Sequence, residues 1–340
     1  MLYTEVHMIG QETRDVERKI TAILRILSES KQPVGGRSIS IMLEEQGIHL
    51  GERAVRYHLK IMDERGLTRL AGPKDGRTIT IAGQDELRNS LVTDKLGFVS
   101  SRIEGLAYQT NFGLRSANGK IPVDITLFNR DDLTRALKIM SDVFAAGLCS
   151  SELVALAGEG ASLGQTVIPR GKVGLATICS VALIGCLLKT GIPAHARFGG
   201  LMQVRNRQPY RFVDLIEFSG STIDPSDIFI AGRMTDVKSA ASTGEGKVLA
   251  GYHEIPLLSL VRAEELLQRL TNHGLMCPAI LARSGEAVCE IPRSPDKVGL
   301  IALSGLNATA AAVESGIDVT NKAMCGMMEI TKLRPFRELL

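Results

Sequence analysis

Three cations and a phenol recur at helical spacing in one short stretch: Arg53, Arg56, Tyr57 and Lys60. Wound into a helix, they share one face while Val55, Leu59 and Met62 take the opposite one. Guanidinium, ammonium and phenolic donors in a row suit a phosphate backbone and the base edges of a DNA major groove. An apolar face for burial and a cationic face for a polyanion make a recognition helix. Just beyond it, the segment 71–76 (Ala-Gly-Pro-Lys-Asp-Gly) has turn chemistry and would carry Arg69, Lys74 and Arg77 to phosphates beside the groove.

A second set of residues points to a small anion. Thr177, Cys179 and Ser180 stand where a strand pattern runs into a helix, and Ser304, Gly305 and Asn307 stand at a similar transition. Amides at a helix N-terminus attract carboxylates. Arg170, Lys172, Arg197, Arg293 and Lys322 lie near these segments in sequence and would complete a dicarboxylate site. Plain N-capping with surface cations is the alternative for each of them.

Catalytic patterns fall short. Residues 113–120 (Gly-Leu-Arg-Ser-Ala-Asn-Gly-Lys) are one residue too long for a phosphate-binding loop, and Ile121 stands where Ser or Thr is needed. Gly158, Gly160 and Gly164 miss dinucleotide spacing by one. His195, His253 and His273 are isolated, and neither H-E-x-x-H nor G-x-S-x-G occurs. No enzyme, resident cofactor or metal is expected.

The elements that position the basic helix are legible around it. Residues 14–28 carry Val16, Ile20, Ile23, Leu24 and Leu27 on one helical stripe. A shorter helix over 37–46 follows, with Ile39, Met42 and Leu43 apolar, and a tight connection leads to the basic helix, which Gly66 should close. Short strands over 67–70 and 77–81 complete a winged helix across residues 13–83. His58, near the apolar face, reads as packed. A helical connector over 84–110, with Leu87, Leu91, Leu96 and Val99 apolar, offers a dimerisation surface.

Charge confines nucleic-acid affinity to this module. The chain has 40 Lys/Arg against 37 Asp/Glu; residues 1–83 hold 13 against 11, leaving 27 against 26 afterwards. A net of two charges gives one copy little salt-resistant affinity, so a homodimer is expected. The six cysteines are scattered in apolar surroundings without a C-x-x-C pair, which fits free thiols in a reducing cytoplasm. No export signal is expected at the start. The most apolar run, residues 173–188, is too short for a membrane span and reads as a buried strand leading into a buried helix.

Residues 111–335 contain a repeat, over about 121–205 and 253–330. Ile168-Pro-Arg170 and Lys172-Val-Gly-Leu175 return as Ile291-Pro-Arg293 and Lys297-Val-Gly-Leu300, and Gly191-Ile192 returns as Gly316-Ile317. Phe198-Gly-Gly-Leu-Met202 parallels Met324-Cys-Gly-Met-Met328. Within the first unit, 106–112 and 121–128 read as strands, followed by a helix over 131–146. The expected class is α+β: an N-terminal winged helix-turn-helix, then an α/β regulatory domain of two related βαββαβ-like halves with a ligand cleft between them.

Arg53-Ala-Val-Arg-Tyr-His-Leu-Lys60, Gly76-Arg-Thr-Ile-Thr80, Gly97-Phe-Val-Ser-Ser-Arg-Ile-Glu104 and the repeated Lys-Val-Gly-Leu together resemble the archaeal nitrogen-regulatory repressor family NrpR. The winged helix alone also resembles the module at the start of ribonuclease R. The resemblance implies a dimeric repressor of nitrogen-fixation or nitrogen-assimilation genes. It would bind palindromic double-stranded operator DNA through Arg53, Arg56, Tyr57 and Lys60, and 2-oxoglutarate would release it. Two other classes compete: an RNA-associated winged-helix protein, and an enzyme–repressor with a different ligand, for which no adenylate-binding loop is found.

Overall fold

A computed structural model describes residues 2–30, 32–45, 48–72, 75–89, 98–275, 279–281, 291 and 295–340. The chain divides into two compact units, residues 1–95 and 96–340.

The first unit is a winged helix. Helices α1 (Leu2–Glu29), α2 (Gly36–Glu45) and α3 (Glu52–Glu64) precede strands β1 (Thr68–Gly72) and β2 (Gly76–Ile79), and helix α4 (Ile81–Asn89) follows. Ile20, Ile23, Leu24 and Leu27 of α1 pack with Ile39 and Leu43 of α2 and with Val55, Leu59 and Met62 of α3. Each such side chain contributes about 1.5–3 kcal/mol by burial. Met42 departs from expectation: it is exposed, so the buried stripe of α2 is narrower than its spacing suggests. His58 is packed as expected. Gly66 ends α3 at φ +71°, with Leu67 N–H donating to the Met62 carbonyl. Val34 exchanges two backbone hydrogen bonds with Arg77, adding a third edge to the wing hairpin.

In the second unit the repeat is explicit. After helix α5 (Phe98–Gln109), the first half runs β3 (Lys120–Asn129), α6 (Leu133–Ala145), β4 (Leu153–Ala157), a small hairpin of β5 (Ser162–Leu163) and β6 (Thr166–Val167), β7 (Lys172–Ile178), α7 (Val181–Lys189) and β8 (His195–Arg205). Strand β9 (Gln208–Glu217) and helices α8 (Pro225–Ala231) and α9 (Val237–Thr243) intervene. The second half runs β10 (Gly246–Pro256), α10 (Leu260–Asn272), β11 (Ala279–Leu281), β12 (Lys297–Leu303), α11 (Asn307–Glu314) and β13 (Val319–Glu329), and β14 (Arg334–Pro335) closes the order.

The halves are interlaced. One five-stranded antiparallel sheet is ordered β13-β3-β7-β4-β14, the other β11-β12-β10-β8-β9. The last strand of each half therefore pairs with the first strand of the other. The two hydrophobic cores cross in the same way, one joining α6 with α11 and the other α7 with α10. Asn307, fully buried, ties these parts together. Its Oδ1 accepts from Leu249 N–H at 2.7 Å, and its Nδ2 donates to the carbonyls of Leu148 at 2.7 Å and Leu249 at 3.0 Å.

Two expectations are corrected. The strand expected over 106–112 is largely the C-terminal part of α5, because Val99, Ile103, Leu106 and Ala107 form a helical stripe. The expected connector belongs to both units: Leu87 packs in the first core, whereas α5 packs on α7 in the second. Val99 is buried within its own unit, while Leu91 and Leu96 lie outside the described residues.

Candidate DNA-binding face and internal cavity

On α3 the sequence-predicted face is displayed as expected. Arg53, Arg56, Tyr57 and Lys60 are all exposed, Tyr57 at 63%, and the opposite face is buried. Arg56 pairs with Glu52 at 2.5 Å and Lys60 with Glu64 at 3.9 Å. Both are exposed helix pairs worth only a few tenths of a kcal/mol, so a phosphate can displace the carboxylates.

The wing residues divide. Arg69 is exposed on β1. Arg77 instead donates from Nε to Asp63 at 2.7 Å, and Asp63 also accepts from Thr68 Oγ1 at 2.5 Å. Asp63, on the last turn of α3, so clamps both wing strands. Arg77 therefore fixes the wing against the recognition helix, a role that its place in the sequence did not suggest. Lys74 lies outside the described residues.

Inside the second unit, a cavity opens where the two halves meet. Ser180 and Val181 at the start of α7 line it, as do Ser304 and Leu306 at the start of α11. Two helix N-termini, one from each half, therefore face the same space. Asp124 of β3, Cys179, Asp224 and His253 of β10 complete its polar lining. The volume open to a water-sized sphere is only about 30 Å³, room for one or two waters, so a larger ligand requires the walls to part.

The electrostatics of this cavity are unusual. His253 is 2% exposed and neither ring nitrogen has a hydrogen-bond partner. Burial holds it neutral, lowering its pKa to about 4. Burial pushes the Asp124 carboxyl up to about 7, opposed in part by the hydrogen bond from Met324 N–H at 2.7 Å. Asp224 is raised by burial against hydrogen bonds from Ser226 and Asp227, and burial with the charge of Asp224 raises Asp227 to about 6. Cys179 is held as a thiol, raised by burial and then by Asp124.

A large bulge in β13 faces Asp124. Lys322 pairs with Ile125 and Gly326 with Val123, which leaves residues 323–325 opposite Asp124. Met324 sits there at φ +48°, an uncommon conformation for a non-glycine residue. Its N–H is taken by Asp124 and its carbonyl by Arg102 Nε at 2.6 Å.

Several expected anion-site residues stand elsewhere. Arg170 and Lys172 lie at the far end of β7 from Ser180, about 20 Å away at ~3.3 Å per residue, and Lys172 bonds to Asn129 at 2.7 Å. Arg197 is committed to Glu254 at 3.0 Å. Thr177 is buried on β7 opposite Asp124, and its hydroxyl has no hydrogen-bond partner. Lys322 pairs within the sheet on β13. Asn307 is consumed by its backbone bonds, and Arg293 lies outside the described residues. Among the described residues, Cys179, Ser180 and Ser304 of the expected set line the cavity. The spacing missed Asp124, Asp224, His253 and Arg102. The one available signal was polar residues inside otherwise apolar strand patterns, as at Asp124 and His253.

A winged helix that exposes a basic face on its third helix is the composition of a transcription regulator. Residues 96–335 match the family model of the NrpR regulatory domains NRD1 and 2, and residues 21–87 match the ribonuclease R winged-helix domain. The chain belongs to the NrpR family of nitrogen regulators. It is 36% identical to the global nitrogen regulator NrpRI of Methanosarcina mazei, over 94% of this chain and 98% of that protein. Global nitrogen regulators NrpR of Methanocaldococcus jannaschii and Methanococcus maripaludis are 32% and 30% identical; this chain spans 56% and 54% of their lengths. The crystal structure of a nitrogen repressor-like protein from Methanococcus jannaschii superposes with a TM-score of 0.59 at 22% identity, covering 70% of this chain and 98% of that one. It supports the fold. Among the described residues, no helix is long and apolar enough to cross a membrane, and no cluster of His, Cys, Asp and Glu could hold a metal.

Proposed function

We propose that this chain is a homodimeric repressor of nitrogen-assimilation or nitrogen-fixation genes, and that 2-oxoglutarate bound in the internal cavity releases it from operator DNA. The observation that carries the effector half is the meeting of two helix N-termini on one cavity beside His253, whose buried nitrogens lack partners. Paired N-termini suit a ligand with a carboxylate at each end, and a neutral imidazole donor suits its 2-oxo oxygen or one carboxylate. The DNA half is supported by the exposed Arg53, Arg56, Tyr57 and Lys60 face and by relatives named as global nitrogen regulators. Two copies are needed because each module contributes a net of only two positive charges.

A cavity of about 30 Å³ cannot hold a five-carbon dicarboxylate without rearrangement. Binding must therefore do work on the surrounding sheets, and a coupling of about 1–3 kcal/mol to the DNA-bound state suffices for release. The test is fluorescence anisotropy of a palindromic promoter fragment with the full chain, with and without 2-oxoglutarate. Salt-sensitive binding that 2-oxoglutarate reverses is expected. Tight binding indifferent to 2-oxoglutarate removes the effector, and no duplex binding at low salt removes the repressor. The likeness of residues 21–87 to the ribonuclease R module makes structured RNA the control ligand.

A further inference from the structure

A dianion entering this cavity meets two carboxyl groups. Asp124 and Asp224 both line it, and Asp227 stands just behind Asp224 on α8. Two helix N-termini supply roughly half a positive charge each, which cannot hold a dianion beside an ionised Asp124. His253 stays neutral, and Arg102, which holds the bulge in β13, is turned to the Met324 carbonyl. Either a proton or a cation must accompany the ligand.

We propose that Asp124 sets the ligand specificity of the cavity: as the neutral acid it admits a 2-oxo dicarboxylate, and as the carboxylate it admits the corresponding α-amino dicarboxylate in its place. This inference rests on the cavity being the effector site. The geometry singles out Asp124 among the acids. Asp224 is satisfied as a helix cap, accepting Ser226 N–H at 2.7 Å, and Asp227 accepts from Asn321. Asp124 is buried, lines the cavity and accepts hydrogen bonds from a strained bulge and a thiol.

A neutral Asp124 carries an O–H that donates to a 2-oxo oxygen or to a carboxylate, whereas the ionised form accepts from an ammonium. Among the described residues, the charged and titratable groups around it act in both directions. Asp224 and Asp227 from α8 disfavour its charge, whereas the hydrogen bond from the Cys179 thiol after β7 favours it. Arg102 from α5 acts on Asp224 and, with Lys322 of β13, on Cys325, while burial holds Cys325 and His253 neutral. Burial dominates and places the changeover near neutral pH, so binding of the oxo acid draws one proton from solvent above that point.

The experiment is calorimetric titration of the full chain with 2-oxoglutarate and with glutamate, at about pH 6 and about pH 8. Each titration is run in two buffers of different ionisation enthalpy. For 2-oxoglutarate we expect uptake of one proton at the higher pH and about a tenfold loss of affinity per pH unit above about 7. Glutamate should show the opposite trend. Asp124→Asn should bind 2-oxoglutarate with no pH dependence and should lose glutamate. The buffer comparison on the natural chain needs no variant, so a misfolded variant does not spoil the test. Binding of 2-oxoglutarate with no proton uptake overturns this inference and leaves the effector reading intact. Retained pH dependence in Asp124→Asn moves the role to Asp224 and overturns it as well. No binding by the natural chain at either pH overturns both.

Discussion

Truncating Asn307 to Ala tests whether the two halves are held by one buried amide. The substitution removes three hydrogen bonds, from Leu249 N–H and to the carbonyls of Leu148 and Leu249. The Leu249 carbonyl keeps Ser304 N–H as a donor at 3.0 Å, but Leu249 N–H is left enclosed without its acceptor. An unmet buried donor costs about 1–3 kcal/mol, and each lost bond about 1 kcal/mol. The total is about 3–5 kcal/mol, a fall of about 8–15 °C in the unfolding midpoint for a unit of this size. Circular dichroism of the full chain during heating reads it, since the chain has no tryptophan. Asn307→Asp provides the control: it keeps the acceptor for Leu249 but sets a carboxylate against two carbonyls, so it should be no more stable than Ala. A loss below about 1 kcal/mol for Ala, or an Asp variant as stable as the natural chain, would refute the reasoning.

Other outcomes follow from the same geometry. Arg56→Ala and Lys60→Ala should each lower the slope of log affinity against log salt by about one while leaving the melting midpoint in place, because both side chains are exposed. Arg77→Ala should weaken DNA binding and also free the wing, seen as faster amide exchange in β1 and β2, because its ion pair with Asp63 is lost. Gly76→Ala should destabilise the first unit by more than about 2 kcal/mol in denaturant titration: φ is +87° and a Cβ there would lie 2.4 Å from the Val34 carbonyl carbon. Asp124 titrates near 7 in the fold against about 3.8 unfolded, so its contribution is unperturbed below about pH 4 and increasingly unfavourable up to about 7. Asp124→Asn should therefore raise stability at pH 8 by up to about 4 kcal/mol and leave it unchanged at pH 4, read from melting at the two pH values.

The winged helix was legible because its signals are local. Val55, Leu59 and Met62 declare one face of α3 within a dozen residues, and the cations declare the other. The repeat was legible too, through Lys172-Val-Gly-Leu175 and Lys297-Val-Gly-Leu300. What periodicity could not give is which sheet a strand joins: β8 and β13 read alike whether they pair at home or across, because both choices bury the same face. The cavity was half visible. Ser180 and Ser304 were found by the rule of helix N-termini, but cations adjacent in sequence were placed with them. A seven-residue strand carries Lys172 a full strand length away from Ser180. Asp124 and His253 gave little warning, since a polar residue in a strand usually marks the solvent face. Here both faces of β3 and β10 are covered, one by each core.

The interlaced sheets constrain how such a molecule can fold and how it can have arisen. No half can complete its sheet until the last strand of the other has been made, so the chain must order residues some 200 positions apart, Lys120 with Glu329, before either core closes. Contacts of such range make for slow folding and leave an unpaired edge on β3 for much of it. The same pairing describes a half-length ancestor: one βαββαβ chain meeting its own copy, each inserting its final strand beside the other's first, with the cavity on the two-fold axis. Fusion of two such genes removes the need for assembly and frees the two sides of the cavity to differ. Asp124 of β3 and Gly251 of β10, which hold equivalent places in the two halves and both line the cavity, differ in just this way.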